Sequence, residues 1–321
     1  MTKNYLLVTV FVCSISPLFA QQVGPLVNSG EEIAEGLKLY ENDKYKEAIE
    51  HYAKVGSHDT NYVWALYELA RTCSADSQFV RGMEYCKQGL AHYDDRERLP
   101  DFLTLQGILY DNLGQPQTAL LVFDSALIKY PAYTNLYVNK GNTLFYQKKY
   151  NEAAEVFKQG LLINPYSSLL HFNLGVTALN QGNAVGAFLS LTTYLILDPS
   201  GVYSKSSISL LSSISLAKDN IIEAVGKRDQ EIPDNFAQIE QIVLSKIALE
   251  KSYKPIIKID DKISRQMQVI FEKLEYDPSS NDFWMQYYVP YFQKLFADKK
   301  FEVMVNYAFS SVDIDAIKKY N

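Results

Sequence analysis

Residues that build metal, redox and disulfide sites are scarce in this chain of 321 residues, which has three cysteines and four histidines. Disulfide-framework proteins carry far more cysteine for their length, so the chain is not one of them. The histidines are His51, His58, His92 and His171. None has a second ligand at metal-binding spacing on the same helix. We therefore predict no metal site, no cofactor and no catalytic residue.

Positive charge is also in short supply. The 31 lysines and arginines are outnumbered by 37 aspartates and glutamates, which gives a formal net charge of −6. A basic stripe is absent, and this disfavours nucleic-acid binding. The sequence also lacks a phosphate-binding glycine loop and a nucleophile elbow. The prediction is a protein without enzymatic activity, with an enzyme hidden in the C-terminal part of the chain as the alternative.

No apolar run near the N-terminus is long enough to cross a bilayer comfortably. The run over Tyr5–Ile15 follows Lys3, is broken by Pro17, and precedes a small residue at Ala20. This order of a positive, an apolar and a small-residue region is typical of a cleavable export signal. We predict a periplasmic or secreted protein cut near Ala20 and Gln21, with an uncleaved anchoring helix as the alternative.

What the sequence does contain is a five-fold repeat. A small residue recurs in steps of 34, 37, 34 and 34 positions, at Gly36, Ala70, Gly107, Gly141 and Gly175. Twelve positions after each stands another small residue: Ala48, Gly82, Ala119, Ala153 and Ala187. Four positions further on stand Tyr52, Cys86, Phe123, Phe157 and Leu191. A period near 34 residues indicates one supersecondary unit repeated.

Each unit is predicted to be a pair of helices. In the fourth unit, bulky residues recur at helical spacing around Gly141 and again around Ala153, with a polar break over 147–149 between them. Small residues where two helix axes cross allow close packing. Pro165 then ends the second helix, because proline has no N–H and restricts the residue before it. The unit is therefore a helical hairpin.

These residues resemble the tetratricopeptide repeat (TPR) family. The fifth unit carries the family pattern at Leu174, Gly175, Ala187, Leu191 and Pro199. The second unit departs from it, since Cys73 and Cys86 replace the two aromatic residues. The resemblance, together with the export signal, is to TPR proteins of the bacterial periplasm and cell envelope. It implies an all-α solenoid of helical hairpins, and TPR arrays mostly bind other proteins.

The expected division of the chain has eight parts. They are a signal peptide at 1–20, a linker at 21–28, repeat units at 29–62, 63–99, 100–133, 134–167 and 168–201, and a helical C-terminal region at 202–321. Helical spacing in the last region covers 204–218, 236–249, 263–274 and 281–296. The first of these is expected to open a degenerate capping repeat, and Pro290 to kink the fourth. The stretch 301–309 fits a strand by alternation or a helix by spacing, and its neighbours favour a helix.

The resemblance also implies a concave groove lined by the first helix of each unit. Carried over by position, its residues are Trp64, Tyr67, Arg71, Asp101, Thr104, Ile108, Asp111, Asn135, Val138, Asn139, Asn142, Tyr146, Leu169, Phe172, Asn173, Val176 and Asn180. Asn139 and Asn173 lie one repeat apart, where asparagines in some family members hold a peptide backbone. The alternative is that both amides only cap or pack. With Arg71 as the one cation, we predict no carboxylate clamp.

Two further sets of residues have competing interpretations. Cys73 and Cys86 are predicted to be buried free thiols, because their offset along the hairpin exceeds the ~7 Å Cα limit for a disulfide. Seven aromatic residues crowd into positions 283–296. They form either a buried core, which we favour, or a tail interface made by Trp284, Tyr287, Tyr288 and Tyr291.

The predicted function is a scaffold or adaptor that binds a segment of another protein in the groove. No small-molecule ligand, nucleic acid or membrane-spanning helix in the mature chain is expected. A stable structural subunit of an outer-membrane or secretion assembly, held by the aromatic tail, is the alternative.

Overall fold

The computed structural model describes residues 27–92 and 98–310, which form seventeen α-helices, one short 3-10 helix and no strand. The first ten are α1 Ser29–Glu41, α2 Tyr45–Tyr52, α3 Tyr62–Ala75, α4 Phe79–Ala91, α5 Leu99–Asn112, α6 Pro116–Lys129, α7 Thr134–Tyr146, α8 Tyr150–Ile163, α9 Ser168–Asn180 and α10 Ala184–Leu197. The predicted signal peptide and most of the linker lie outside the described residues.

Seven more α-helices follow. They are α11 Ser204–Ser215, α12 Asp219–Gly226, α13 Asp234–Ser245, α14 Lys262–Lys273, α15 Phe283–Tyr287, α16 Val289–Ala297 and α17 Phe301–Ala308, with the 3-10 helix at Ile247–Leu249. From α1 to α10, each odd-numbered helix packs on the helix after it, and each pair packs on the next pair. The protein is thus an all-α solenoid of helical hairpins followed by a helical C-terminal region.

A glycine in the first helix of a hairpin receives the ring of a residue in the second. A Cβ added at Gly141 would lie 2.2 Å from the Phe157 ring, and one added at Gly107 would lie 2.3 Å from the Phe123 ring. Both rings are fully buried. The helices approach this closely only because the glycine has no side chain, and this contact explains the spacing of sixteen residues between the two positions.

The second unit replaces this contact with a smaller pair. Ala70 stands in the glycine position and Cys86 in the ring position, and both are fully buried in one core cluster. The added methyl group is thus matched by a smaller partner, as close packing requires. Cys73 and Cys86 are both free thiols. Cys86 donates to the carbonyl of Phe102 at 3.4 Å, and burial raises its pKa to about 12.

The C-terminal region encloses the last repeat. One continuous apolar core extends from Tyr137 to Phe309 and includes residues of both parts. Helices α13 and α17 pack against α10. Every residue of 184–192 is therefore buried, so α10 is apolar all round as an enclosed helix must be.

Beyond the fifth unit, only one helix keeps the repeat arrangement. Helix α11 packs on α10, but α12 lies against α9, while α13 and α14 pack on α11. Arg228, just after α12, donates to the carbonyl of Gly182 at 2.9 Å and pairs with the buried Glu240 at 2.7 Å. A Cβ at Gly182, where φ is +77°, would meet the Ala224 carbonyl. The expected capping repeat is therefore reduced to its first helix.

Two expected C-terminal helices are each interrupted. The stretch 281–296 forms α15 and α16, which are separated at Tyr288, and Pro290 lies in the first turn of α16. Proline suits that position because its missing N–H would be unpaired there in any case. Helix α13 ends where Lys246 takes a left-handed conformation with φ +61°. The stretch 301–309 is helical, as its neighbours favour.

The glycine–ring contact predicts the effect of Gly141→Ala. Alanine normally favours a helix over glycine by about 1 kcal/mol, but a methyl group on the rigid Phe157 ring forces the two helices apart. We expect a net loss of about 2 kcal/mol in the free energy of unfolding, measured by urea titration. Gly226→Ala is the control, because a Cβ at Gly226 meets nothing within 4 Å. Equal stability of the two variants would contradict the account.

Candidate functional site

A cleft of about 470 Å³ opens between α7 and α9, and we call it the amide cleft. Its lining comprises Asn135, Val138, Asn139, Asn142, Phe145, Tyr146, Phe157, Leu169, Phe172, Asn173, Val176, Thr177 and Tyr203. The lining includes every groove residue predicted for units four and five except Asn180. Asn180 is exposed outside the cleft, and its side-chain N–H₂ donates a hydrogen bond to the Val176 carbonyl of the same helix. Repeat register thus brings together residues that are 34 positions apart.

Sequence reasoning missed the aromatic wall of the cleft. Tyr203 stacks on Phe172, with ring centroids 4.3 Å apart and an angle of 17° between the planes. The Tyr203 N–H donates to the Tyr194 hydroxyl at 3.0 Å, which fixes the backbone behind the ring. Tyr203 lies in the turn before α11, outside any repeat position, so helical periodicity gives no indication of it.

The amides of the cleft are held by short local hydrogen bonds. The Asn173 side-chain N–H₂ donates to the Asn142 side-chain oxygen at 3.0 Å, which joins the fifth unit to the fourth. The Asn139 N–H₂ donates to the Asn135 carbonyl at 2.8 Å, within its own helix. No described residue donates to the side-chain oxygen of Asn139 or of Asn173. Both oxygens are thus free to accept a hydrogen bond.

No charged side chain lines the amide cleft. Arg71, the single cation predicted for the groove, lies in the second unit and forms an ion pair with the buried Glu68 at 2.6 Å. Its guanidinium group also lies 3.9 Å from the ring centre of Tyr40. Trp64 donates to the other oxygen of Glu68 at 3.1 Å. Arg71 is therefore engaged within the protein, and its position offers no free cation.

The predicted groove residues of the third unit serve repeat packing. Asp101 accepts a hydrogen bond from Tyr133, and Asp111 accepts one from Thr143 at 2.7 Å, each from a residue 32 positions later. Thr104 is buried and bonds the Pro100 carbonyl at 2.8 Å, so its place among groove residues is corrected. Asp101 and Asp111 thus connect α5 with α7 and the residue before it, whereas the Thr104 bond lies within α5.

The aromatic tail packs on the repeats. Trp284 and Tyr288 are buried, so the structure corrects their alternative assignment to a tail interface. The Trp284 indole N–H donates to the Ser190 hydroxyl in α10 at 3.0 Å, and the Lys158 ammonium lies 4.6 Å from its ring centre. Tyr287 is half-buried and Tyr291 is 49% exposed. Most of this cluster is core, as favoured from the sequence.

His171 joins the tail to the fifth unit. Its Nε2 donates to the Pro165 carbonyl at 2.9 Å, which repeats one unit later the bond from the Tyr137 hydroxyl to the Pro131 carbonyl. Because a carbonyl only accepts, Nε2 carries the proton, and Nδ1 accepts from the Tyr288 hydroxyl at 2.7 Å. Desolvation lowers the pKa of His171 to about 4. The ring is therefore a neutral core histidine at neutral pH.

Within the described residues, no group of three or more His, Cys, Asp or Glu side chains is arranged to hold a metal ion. Among the same residues, no helix combines the length and apolar character needed to cross a membrane.

Comparison with known proteins gives the same fold. Residues 134–167 match the family model of the tetratricopeptide repeat. Human tetratricopeptide repeat protein 6 is 27% identical over 77 residues, which are 24% of this chain and only 15% of that protein. A thermophilic TPR protein from Thermus thermophilus aligns with 57% of this chain and 99% of its own, at 20% identity and a TM-score of 0.50. The chain has a tetratricopeptide-repeat fold.

A pH titration tests the assignment of His171. The unfolded chain binds a proton near pH 6.5, whereas the folded ring resists protonation down to about pH 4. Stability present above pH 6.5 is therefore lost as the pH falls through that window, by roughly 3 kcal/mol for this group. We expect His171→Gln to remove this part of the pH dependence in urea titrations at pH 4 to 7. An unchanged slope would contradict the assignment.

Proposed function

We propose that the protein is an exported scaffold or adaptor that binds an extended segment of another protein in the amide cleft. The observation that carries this proposal is the pairing of two free amide acceptors with an apolar, uncharged lining in one open cleft. The TPR fold supports it, since such arrays act mainly as protein-binding scaffolds.

The chemistry of the cleft favours an extended backbone as ligand. Peptide N–H groups satisfy the side-chain oxygens of Asn139 and Asn173 without any requirement on the ligand's side chains. Leu169, Phe172 and Val176, which are partly exposed, then offer apolar surface to alternate side chains of the same segment, whereas Val138 is buried. A peptide backbone carries no net charge, so binding it requires no charged side chain in the cleft lining. The asparagine oxygens would thus bind the backbone of an extended segment, and the apolar side chains would select among segments by their side chains.

Photocrosslinking in the native cells tests this function. The tyrosine at 146 lines the cleft and is 78% exposed, so benzoylphenylalanine placed there keeps the fold and reaches a bound segment. Tyr166 is the matched control, because it is 79% exposed and lies outside the cleft. We expect a discrete protein adduct from position 146 and none of the same mass from position 166.

Removing the acceptor oxygens of Asn139 and Asn173 should weaken binding and so lower the yield of the adduct. Each lost hydrogen bond to a neutral amide is worth about 1 kcal/mol, so Asn139→Ala with Asn173→Ala should reduce binding roughly tenfold or more. Asn180→Ala, outside the cleft lining, should leave it unchanged. Adducts of equal yield from both tyrosine positions, or yields unaffected by the double substitution, would refute the function.

Export rests on the order of residues at the N-terminus, with Lys3, the apolar run 5–15 and Ala20 in sequence. N-terminal sequencing of the protein purified from its own cells tests this. A start near Gln21 is expected, and an intact Met1 on the native protein would overturn it.

A further inference from the structure

A second cleft lies on the same face, two repeats further along. It has a volume of about 650 Å³, and we call it the lysine cleft. Its lining comprises Lys205, Ile208, Ser209, Ser212, Leu249, Asp260, Asp261, Lys262, Ile263 and Arg265. Four of these lie thirty-six positions after Leu169, Phe172, Asn173 and Val176 of the amide cleft. Helix α11 therefore presents to this cleft the same face that α9 presents to the other.

The opposite wall of the lysine cleft comes from outside the repeats. In a regular array, the first helix of a seventh unit would stand here, but the chain leading into α14 takes that place. Tyr203, stacked on Phe172, lines the amide cleft and stands two residues before Lys205. The two clefts thus lie on one face, separated by the step from α9 to α11.

Charge distinguishes the two clefts. Asp260 forms a two-point ion pair with Arg265. One oxygen of Asp261 accepts the N–H groups of Ile263 and Ser264 at the start of α14, and its other oxygen is buried without a hydrogen-bond partner among the described residues. Lys205 and Lys262 are exposed, and neither forms an ion pair with any described residue. The cleft thus offers two uncommitted ammonium groups beside the apolar side chains of Ile208 and Ile263.

We infer that the lysine cleft binds an acidic side chain of the same partner segment whose backbone lies in the amide cleft. This inference rests on the proposed function. First helices of neighbouring hairpins pack ~10 Å apart, so clefts two repeats apart are separated by ~20 Å, which an extended chain covers in about six residues. The partner is therefore an extended segment with an aspartate or glutamate about six residues from its apolar anchor. The acid is an internal side chain, because the segment continues across both clefts.

A randomised peptide library displayed on phage and selected on the full chain tests this inference. We expect selected peptides to carry an acidic residue about six positions from an apolar one. As synthetic peptides, they should bind the variant Lys205→Gln/Lys262→Gln about three- to tenfold more weakly, less so at high salt. The control is Lys218→Gln/Lys254→Gln, which removes the same charge from exposed positions outside the lysine cleft.

The outcomes separate this inference from the function beneath it. One outcome contradicts only the binding of an acidic side chain in the lysine cleft. In it, the selected peptides depend on Asn139 and Asn173, show no preference for an acidic residue, and bind Lys205→Gln/Lys262→Gln with unchanged affinity. The proposed function then still holds. Failure to select any peptide that depends on those asparagines overturns both. A preference for acid that disappears when the peptide C-terminus is amidated assigns the charge to a terminal carboxylate and overturns the internal side chain.

Discussion

The structure depends on a contact between a glycine and a ring. In units one, three and four, the ring of the second helix lies where a side chain of the first would otherwise stand, at Gly36, Gly107 and Gly141. This contact sets the distance between the two helices of these three hairpins, and so the position of their first helices. The amide cleft is the space between α7, placed in this way, and α9, whose Gly175 receives the Leu191 side chain instead of a ring. A change in that distance moves both of its walls.

The C-terminal region makes the last two repeats the most firmly held part of the array. The core of units one to three is divided into small clusters between neighbouring hairpins, whereas one core joins units four and five to the helices that follow. His171 and Trp284 add buried hydrogen bonds across the same boundary. A site built on rigid elements holds its groups in place before a ligand arrives. The amide cleft lies where this support is greatest.

Much of this arrangement could be predicted from the sequence because repeats make it periodic. Once Gly141 and Gly175 define the register, Asn139 and Asn173 must face the same side, and the structure places them on one cleft. The missed features are those that no period describes. Tyr203 lies in a turn, and the displacement of α12 depends on Arg228 reaching Glu240, a contact between residues in different elements. Periodicity locates helices and faces, while the C-terminal packing depends on individual long-range contacts.

Hydrogen–deuterium exchange with a bound peptide tests directly whether units four and five form the binding site. The probe is the tightest peptide selected from a randomised library on the full chain. We predict that the peptide protects backbone amides of α7 and α9, at 134–146 and 168–180, from exchange. Exchange over α3 and α5, at 62–75 and 99–112, should not change. Protection confined to α3 and α5, or to the helices after α12, would contradict the claim that units four and five form the binding site.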